Sequence, residues 1–483
     1  MRWLFIFAVF GVMISVFIVS HLSGQPEHTP KIVHDSGKTV LSFGAVGDNE
    51  FDNTTAIRQA IQSGIGHIHF PAGIYQISET IEIDLSKSGP VAITGNGLAR
   101  IIMTGPGPAL RFIGSHGGTA DPKSVNPKIW TTERMPIVDG IEITGAHPEA
   151  SGIEAHGTMN LIITRLFVRN CLHGIHLTKR NRNVLISNCH LYENRGVGVF
   201  LDNVNLHQMN VTGSHISYNN LGGVVVKAGE VRNLHITGCD IESNHRTNSP
   251  PTANVLIDSV GGTNAEIAIT GNTIQHNHQA KGSANIRIIG PTIESKKTPE
   301  RRDGHVTITG NVLSDVQVGI HLQDARGVVI SGNTSWMSFE HNLLVENSSH
   351  IIVGENSFER NPRYDYGDST QARNAIAFRS CSECTLNGFH VSEVHEEAGA
   401  VVIEECSRMN ISNLTILDCD HAGLVLKNVT RSRIADCFIR DDRKEATSFS
   451  LKVTGGENNV IRSNVLGRPA ELPEQWNKHN DFN

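Results

Sequence analysis

The sequence predicts an all-β protein: a single-stranded right-handed parallel β-helix, or solenoid, with a short N-terminal capping helix. Three observations predict this fold. A short apolar phrase returns along the chain, and a second phrase follows it in most of its copies. The composition favours short strands and tight turns over long helices, with 46 glycines, 17 prolines and 5% aromatic residues. Self-similarity at a period of a few tens of residues is typical of solenoids.

The first phrase reads apolar-x-apolar-Thr/Ser-Gly/Asn and begins, for example, at Ile141, Leu234 and Ile267. Its copies recur mostly at intervals of about 20–27 residues, and alternating apolar residues indicate strands rather than helices. Asparagine tolerates left-handed backbone and can hydrogen-bond along a stack, so asparagines after the turn glycines are expected to form a structural ladder. These asparagines are Asn96, Asn272, Asn311 and Asn333.

The second phrase reads Gly/Asn-apolar-x-apolar-x, as in residues 174–178, 198–202 and 319–323. A weaker strand lies between the two phrases, for example at residues 312–316. Three short strands in each coil are the geometry of a parallel β-helix. Helical repeats would show a period of about 3.6 residues, and leucine-rich repeats would show a leucine framework. The sequence has neither pattern.

Residues 1–25 are predicted to be a signal peptide or an N-terminal membrane anchor. Arg2 precedes an apolar run from Trp3 to Val19, a length between a signal-peptide core and the shortest membrane span. We therefore expect export to the periplasm, the cell surface or the medium, with membrane contact only through this segment if it is uncleaved. The β-helix is expected over residues 38–466 and a C-terminal tail over residues 467–483.

Charge and cysteine content exclude two classes of protein. The net charge is −7, from 41 basic and 48 acidic residues, whereas nucleic-acid binders usually carry a basic face. No nucleic-acid partner is therefore predicted. The 8 cysteines are spread widely, unlike those of a small disulfide scaffold. Cys381 and Cys406 occupy the same slot of adjacent coils, at a spacing that permits a disulfide.

Near the N-terminus, Leu41-Ser42-Phe43-Gly44-Ala45-Val46-Gly47-Asp48 is followed by Asp52-Asn53-Thr54-Thr55-Ala56-Ile57 and Ile68-His69-Phe70-Pro71-Ala72-Gly73-Ile74-Tyr75. This segment resembles the entry of the pectate-lyase-like superfamily that includes rhamnogalacturonase and epimerase-like proteins. The resemblance implies a β-helix. A short helix with Ile57, Ala60 and Ile61 on its apolar face would close the open end. Lyases, hydrolases, epimerases and non-catalytic members share this entry. The motifs of family-28 glycosidases and of alginate epimerases are missing.

Candidate catalytic residues come from the outward positions of the second-phrase strands. In-register parallel strands lie about 4.8 Å apart, so residues at the same position of successive coils are neighbours. One such row contains Asp202, Lys227 and Asp258, which we predict to be catalytic. Two carboxylates two rungs apart can place a water, as in an inverting glycosidase. Lys227 can keep both ionised or act as a base. A self-neutralising charge ladder is the alternative.

Residues predicted to bind substrate lie beside this row. A carboxylate and two imidazoles on adjacent rungs suit acid–base chemistry or a metal, and basic residues in the neighbouring turn suit a sugar carboxylate or sulfate. No metal site and no cofactor are predicted, although calcium is possible if the protein is a lyase. The predicted binding residues are Glu154, His156, His176, Lys179, Arg180 and Arg287.

Four insertions interrupt the repeat, at residues 114–137, 244–253, 277–304 and 359–374, the last holding Tyr364 and Tyr366. Long loops on a regular scaffold are often functional. The predicted function is an exported glycoside hydrolase or polysaccharide lyase. Its predicted partner is a possibly acidic polysaccharide, bound in the groove of the solenoid. The alternative is a non-catalytic polysaccharide-binding surface protein. A phage tailspike is disfavoured by the export segment.

Overall fold

Parallel strands stacked coil upon coil make up most of the molecule. The computed structural model describes residues 37–118, 121–291, 304–360, 367–396, 398–444, 446, 448–474 and 481–482. The predicted targeting segment, Tyr364 and Tyr366 lie outside the described residues. Each strand pairs in parallel with the equivalent strand of the preceding and following coil. The chain therefore forms an all-β solenoid, as predicted.

The strands form three faces, named here in the order in which one coil visits them. The first face contains the second-phrase strands, which are paired in register from coil to coil. Its strands are Ile81–Asp84, Gly107–Ile113, Ala150–His156, the first parts of Ile175–Ser187 and Val199–Thr212, Val224–Lys227, Ala253–Asp258, Ala284–Ile289, the last parts of Val312–Gln323 and Thr334–Glu346, Ala375–Arg379, Val401–Glu404, Ala422–Lys427, Phe449–Thr454 and Ala470–Glu471.

The second face contains most of the first-phrase strands. It comprises His67–His69, the first parts of Ala92–Met103 and Ile137–Gly145, Ile162–Thr164, the last parts of Ile175–Ser187, Val199–Thr212 and Glu230–Thr237, Ala265–Thr270, Val306–Thr309, Val328–Ser331, Ile352–Val353, Thr385–Asn387, Asn410–Ser412, Arg433–Ala435, Val460–Arg462 and Asp481–Phe482. Thr158–Met159 lies at the corner between the first and second faces and pairs with the middle of Ile175–Ser187.

The third face closes each coil. Its strands are Asp48–Asp52, Gly73–Ile77, the last parts of Ala92–Met103 and Ile137–Gly145, Phe167–Arg169, His190–Tyr192, His215–Ser217, Asp240–Glu242, Thr273–Gln275, the first parts of Val312–Gln323 and Thr334–Glu346, Ser357–Glu359, His390–Ser392, Thr415–Leu417, Phe438–Arg440 and Val465–Leu466. Apolar side chains from all three faces meet in one continuous core.

Helices are short and lie between strands. The longest described helix, Thr54–Gln62, buries Ile57, Ala60 and Ile61, and its first N–H is bonded to the carboxylate of Asp52. Its role as a cap of the solenoid stays a prediction. The others are Val40–Phe43, Leu85–Ser88, Pro122–Ser124, Ile129–Glu133 and Gly367–Gln371. None of the helices in the described ranges has the length and apolarity needed to cross a membrane.

An asparagine ladder runs inside the turn after the first-phrase strands. The Nδ2 of Asn311 donates to Oδ1 of Asn333 over 2.9 Å, and Asn311 Oδ1 accepts from Nδ2 of Asn272 at the same distance. Asn356 continues the ladder beyond Asn333. Asn96 was expected in this ladder, and that prediction is wrong. Asn96 is exposed. It has the left-handed backbone itself, φ 53°, whereas in the ladder the preceding glycine has it, for example Gly310 with φ 68°.

The cysteines pack in the core as free thiols. Cys381 and Cys406 are adjacent, as their slots predicted, but they form no disulfide. The backbone N–H of Cys381 donates to Sγ of Cys406 over 3.3 Å. Their proximity and burial raise the pKa of Cys406 far above that of an exposed thiol. These cysteines therefore act as small apolar core residues.

Candidate functional site

A row of charged and aromatic residues crosses the N-terminal coils of the first face. Glu82, Arg111, Glu154, His176 and Phe200 occupy equivalent positions of successive strands. The alternation of apolar residues in the second phrase turns each of these side chains outward. Glu154 and His176 lie on adjacent rungs, as predicted from sequence. Glu82 and Arg111, which extend the row toward the N-terminus, were not predicted.

The side chains of this row form a chain of ionic contacts. Arg111 Nε lies 2.8 Å from Glu154 Oε1, and Arg111 Nη1 lies 2.9 Å from Glu82 Oε1. His176 lies between two carboxylates, with Nδ1 3.8 Å from Glu154 Oε2 and Nε2 3.3 Å from Asp202 Oδ2. We call Glu154, His176 and Asp202 the acid–imidazole cluster. Only the contact with Asp202 is within hydrogen-bonding distance, and an imidazole beside a carboxylate is a common arrangement for acid–base chemistry.

An aromatic patch adjoins the cluster. The ring of His176 stacks on Phe200 with centroids 5.2 Å apart, and His173 packs against both rings. Burial lowers the pKa of His173 to about 4, and its Nδ1 accepts a hydrogen bond from the backbone N–H of Val197. His173 is therefore neutral near pH 7. The patch presents flat, weakly polar rings beside the charged groups.

The predicted catalytic residues share one row, but their side chains do not converge. Lys227 pairs in register with Asp202 on one side and Asp258 on the other. The carboxylate of Asp202 turns to His176, and that of Asp258 accepts from the backbone N–H of Val260. Lys227 is exposed and forms no ion pair within the described parts of the chain. Its charge therefore remains available at the surface of the first face.

Three predicted binding residues, His156, Lys179 and Arg180, lie at the corner between the first and second faces. Burial and the nearby Lys179 lower the pKa of His156. Burial and Arg182 lower the pKa of Arg180. Arg180 Nη1 donates to Asn205 Oδ1 over 2.5 Å, whereas its Nε and Nη2 are buried without a partner among the described residues. Positive charge is thus concentrated beside the acid–imidazole cluster.

Arg287, also predicted to bind substrate, is instead engaged by its own chain. It is 9% exposed. Its guanidinium donates to His321 Nδ1, to the carbonyl of Gly282 over 2.7 Å and to the carbonyl of Thr252. Gly282 and Thr252 belong to two insertions, so Arg287 fixes both insertions beside the first face. His321 in turn contacts Glu346 through Nε2 at 3.1 Å.

Comparison with protein families identifies the fold. The family described as "Right handed beta helix region" matches residues 131–277 and 253–388, and the family described as "Rhamnogalacturonase A/epimerase, pectate lyase-like" matches residues 38–135. The chain belongs to the pectate-lyase-like right-handed β-helix proteins. No curated protein matches the sequence.

Solved structures resemble this β-helix protein in fold. The pre-mature gene product 12 of bacteriophage phi29 has a TM-score of 0.53 at 15% identity, over 90% of this chain and 56% of that one. Tailspike protein 3 of bacteriophage CBA120 has a TM-score of 0.41 at 12% identity, over 92% and 60%. The mannuronan C-5 epimerase AlgE4 A-module of Azotobacter vinelandii has a TM-score of 0.39 at 14% identity, over 92% and 99%. This β-helix thus spans less than two thirds of each of the two phage proteins.

A second polar cluster of this β-helix protein was not predicted from sequence. His278 Nδ1 lies 2.6 Å from Asp315 Oδ1, and its Nε2 lies 2.8 Å from Asp368 Oδ2. His276 Nδ1 bonds the other oxygen of Asp315, and the ring of His278 stacks on Phe339. We call His276, His278, Asp315 and Asp368 the histidine–aspartate pin. It joins two insertions to the strands between them. Because His278 and Asp368 lie in insertions outside the repeat, no periodic signal could have revealed the contact between them.

The acidic residues near the first face do not suit a hard cation. Calcium takes about 6–8 oxygen ligands. Glu154 is instead paired with Arg111, and Asp202 with His176. No group of three or more histidine, cysteine, aspartate or glutamate side chains has a metal-binding arrangement in the described ranges. We therefore derive no step through calcium.

Proposed function

We propose that this chain is an exported carbohydrate-active enzyme that binds an acidic polysaccharide along the first face and cleaves it at the acid–imidazole cluster. The observation that carries the proposal is His176, held between the carboxylates of Glu154 and Asp202 and stacked on Phe200. Polysaccharide cleavage needs positioned carboxyl or imidazole groups beside a surface that can hold a sugar ring. This part of the first face offers both.

The contacts suggest different roles for the two carboxylates. Glu154 is held by Arg111 and is 21% exposed, whereas Asp202 is 42% exposed and is paired with His176. Asp202 is thus the carboxylate that a bound chain can reach, and it serves as base or nucleophile. His176 contacts Asp202 and can pass a proton to or from it, and Glu154 lies beside the other nitrogen of His176. The rings of Phe200 and His176 pack against the apolar face of a sugar.

Two exposed cations favour an acidic substrate. Lys227 lies one rung from Asp202 and Lys179 lies at the neighbouring corner, and both side chains are exposed. A uronate or sulfate group on the bound chain would pair with either ammonium. With a uronate polymer, a Lys227 ammonium paired with the uronate carboxylate would make the proton beside that carboxylate easier for Asp202 to remove in an elimination.

A screen of the chain against neutral, uronic and sulfated polysaccharides tests the proposal. Reducing ends report hydrolysis, and absorbance of unsaturated uronates reports elimination. We expect Asp202→Asn to lower kcat by about 100-fold or more, since positioned acid–base groups contribute that much. If the reaction is elimination, Lys227→Ala should abolish the absorbance. Both substituted side chains are partly or fully exposed, so the fold should tolerate the changes.

Lys427→Ala is the matched control, because Lys427 lies on a distant coil at the same strand position as Lys227, next to Glu404. It should leave activity unchanged. Cleavage that survives both Asp202→Asn and Lys227→Ala would reject the acid–imidazole cluster as the site.

Binding without cleavage is the second candidate function. The side chains from Glu82 through Arg111, Glu154 and His176 to Asp202 are engaged with one another, as expected of a structural charge ladder. Retention on one polysaccharide in the screen, with no turnover on any of them, would favour this function over the enzyme.

A further inference from the structure

A cleft of about 360 Å³ opens on the second face, away from the acid–imidazole cluster. Its floor is Ile162 and Leu185, which pair in register on neighbouring strands. Leu185 is 42% exposed, although it is a large apolar side chain. The volume lies within the range of about 300–1,000 Å³ typical of small-molecule sites.

Amide side chains line the cleft above this apolar floor. Asn160, Asn183, Gln208 and Asn210 all border it, and none of the four amides has a side-chain hydrogen-bond partner among the described residues. The carbonyl oxygen of Asn183 is buried in this unpaired state, which is unfavourable for a buried acceptor. At the position of the next coil that is equivalent to Gln208, the amide of Asn233 is instead paired with Glu266.

The insertion at residues 114–137 supplies one wall. Its residues Val125 and Ile129 pack against Met159 at the corner of the solenoid, and the backbone N–H of His116 donates to the carbonyl of Gly157. Met135, near the end of the insertion, then borders the cleft and is 45% exposed. These contacts fix the insertion against the solenoid, so Met135 is held at the edge of the cleft.

The chemistry of the lining selects a class of ligand. Among the residues that the structure describes, those lining the cleft include no lysine, arginine, histidine, aspartate or glutamate, so this lining offers no charge to an ionic ligand. An amide both donates and accepts hydrogen bonds, which matches hydroxyl groups that do the same. The flat floor of Ile162 and Leu185 suits the apolar face of a pyranose ring.

We infer that this cleft is a second, non-catalytic carbohydrate site that binds an uncharged sugar unit. It does not require the first face to be catalytic. If one polymer binds to both sites, binding to the second site becomes intramolecular once the first is occupied. The overall affinity then rises without any additional contact.

The test is titration of the full-length chain with cellopentaose, mannopentaose and chitopentaose, with pentagalacturonate as the acidic comparison, by calorimetry and saturation-transfer NMR. We expect at least one neutral pentasaccharide to bind. Leu185→Glu, which places a charge in the floor, should weaken that binding by about tenfold or more, since tenfold corresponds to the loss of one or two good contacts. Gln208→Glu, which removes an amide donor, should weaken it severalfold.

Ile352→Glu is the matched control. Ile352 lies on the same face and in the same row as Leu185, on a distant coil, and is 46% exposed, so its substitution should leave binding unchanged. The inference is overturned if no neutral pentasaccharide binds, if Leu185→Glu has no effect, or if Leu185→Glu and Ile352→Glu weaken binding equally. Asp202→Asn separates the two proposals, because it should lower the rate of cleavage by about 100-fold or more and leave binding at this cleft intact.

Discussion

At the scale of single residues, period-2 alternation was enough to predict which outward side chains are neighbours. The rows through Glu154 and Asp202 have the predicted order because the first-face strands stack without a register slip. The direction that each side chain takes within its row could not be predicted, and Asp202 turns to His176 rather than to Lys227. The outward position of Arg111 could have been predicted from sequence, since Leu110-Arg111-Phe112 has the apolar-x-apolar pattern of the second phrase.

The asparagine ladder gives a prediction at this scale. Asn311 is 1% exposed and bonds both ladder neighbours and the carbonyl of Ile269. Asn311→Ala should lower the free energy of unfolding by about 2–4 kcal/mol, because it leaves buried amide groups unpaired. Urea unfolding measures the loss. Thr334→Ala, at an exposed site nearby, should change stability little, and equal losses in the two variants would contradict a role for the ladder.

At the scale of elements, insertions that look independent in the sequence are joined in the structure. The histidine–aspartate pin links His278 to Asp368 across 90 positions of the chain. Repeats predict contacts between equivalent positions of neighbouring coils only. Contacts between insertions depend on loop conformation, so the sequence did not indicate them.

The pin predicts a pH-dependent local stability. The hydrogen bond to Asp315 raises the pKa of His276, against the effect of burial, and Glu242 adds to the rise. Burial opposes ionisation of Asp315, but its contacts with His276 and His278 lower its pKa overall. The His276 contribution is therefore complete below its unfolded pKa of about 6.5 and is lost as pH rises through the higher folded value. The Asp315 contribution is present above about pH 3.9 and is lost as pH falls through the lower folded value.

Hydrogen exchange of residues 276–283, compared between wild type and His276→Asn at each pH, measures this effect. The wild type should be more protected between about pH 4 and 6.5, and the difference should shrink above that window. His350→Asn is the control: His350 has the same left-handed backbone, φ 56° against 55°, and contacts Glu383 elsewhere. A difference independent of pH would show that the pin does not depend on the charge of His276.

At the scale of the whole molecule, each coil is supported only by its neighbours, so the ends of the solenoid are its vulnerable points. The entry segment predicted the fold, and the helix Thr54–Gln62 lies at the N-terminal end of the strands. The repeat explains the interior coils well because they share one geometry. The ladder predicted from the repeat does not include Asn96, because the turn at Asn96 differs from the turns of the interior coils.

If the helix Thr54–Gln62 closes the solenoid, a charge on its buried side should open the end. Ile61 is 6% exposed, and Ile61→Asp places a carboxylate against the core, which is unfavourable without a partner. We expect faster proteolysis within residues 40–80 and self-association through the freed strand edges, because unpaired edges recruit other chains. Limited proteolysis and light scattering measure both effects. Gln59→Asp, on the exposed side of the same helix, should behave as wild type. If the two variants show equal proteolysis and equal molar mass, the helix does not close the end of the solenoid.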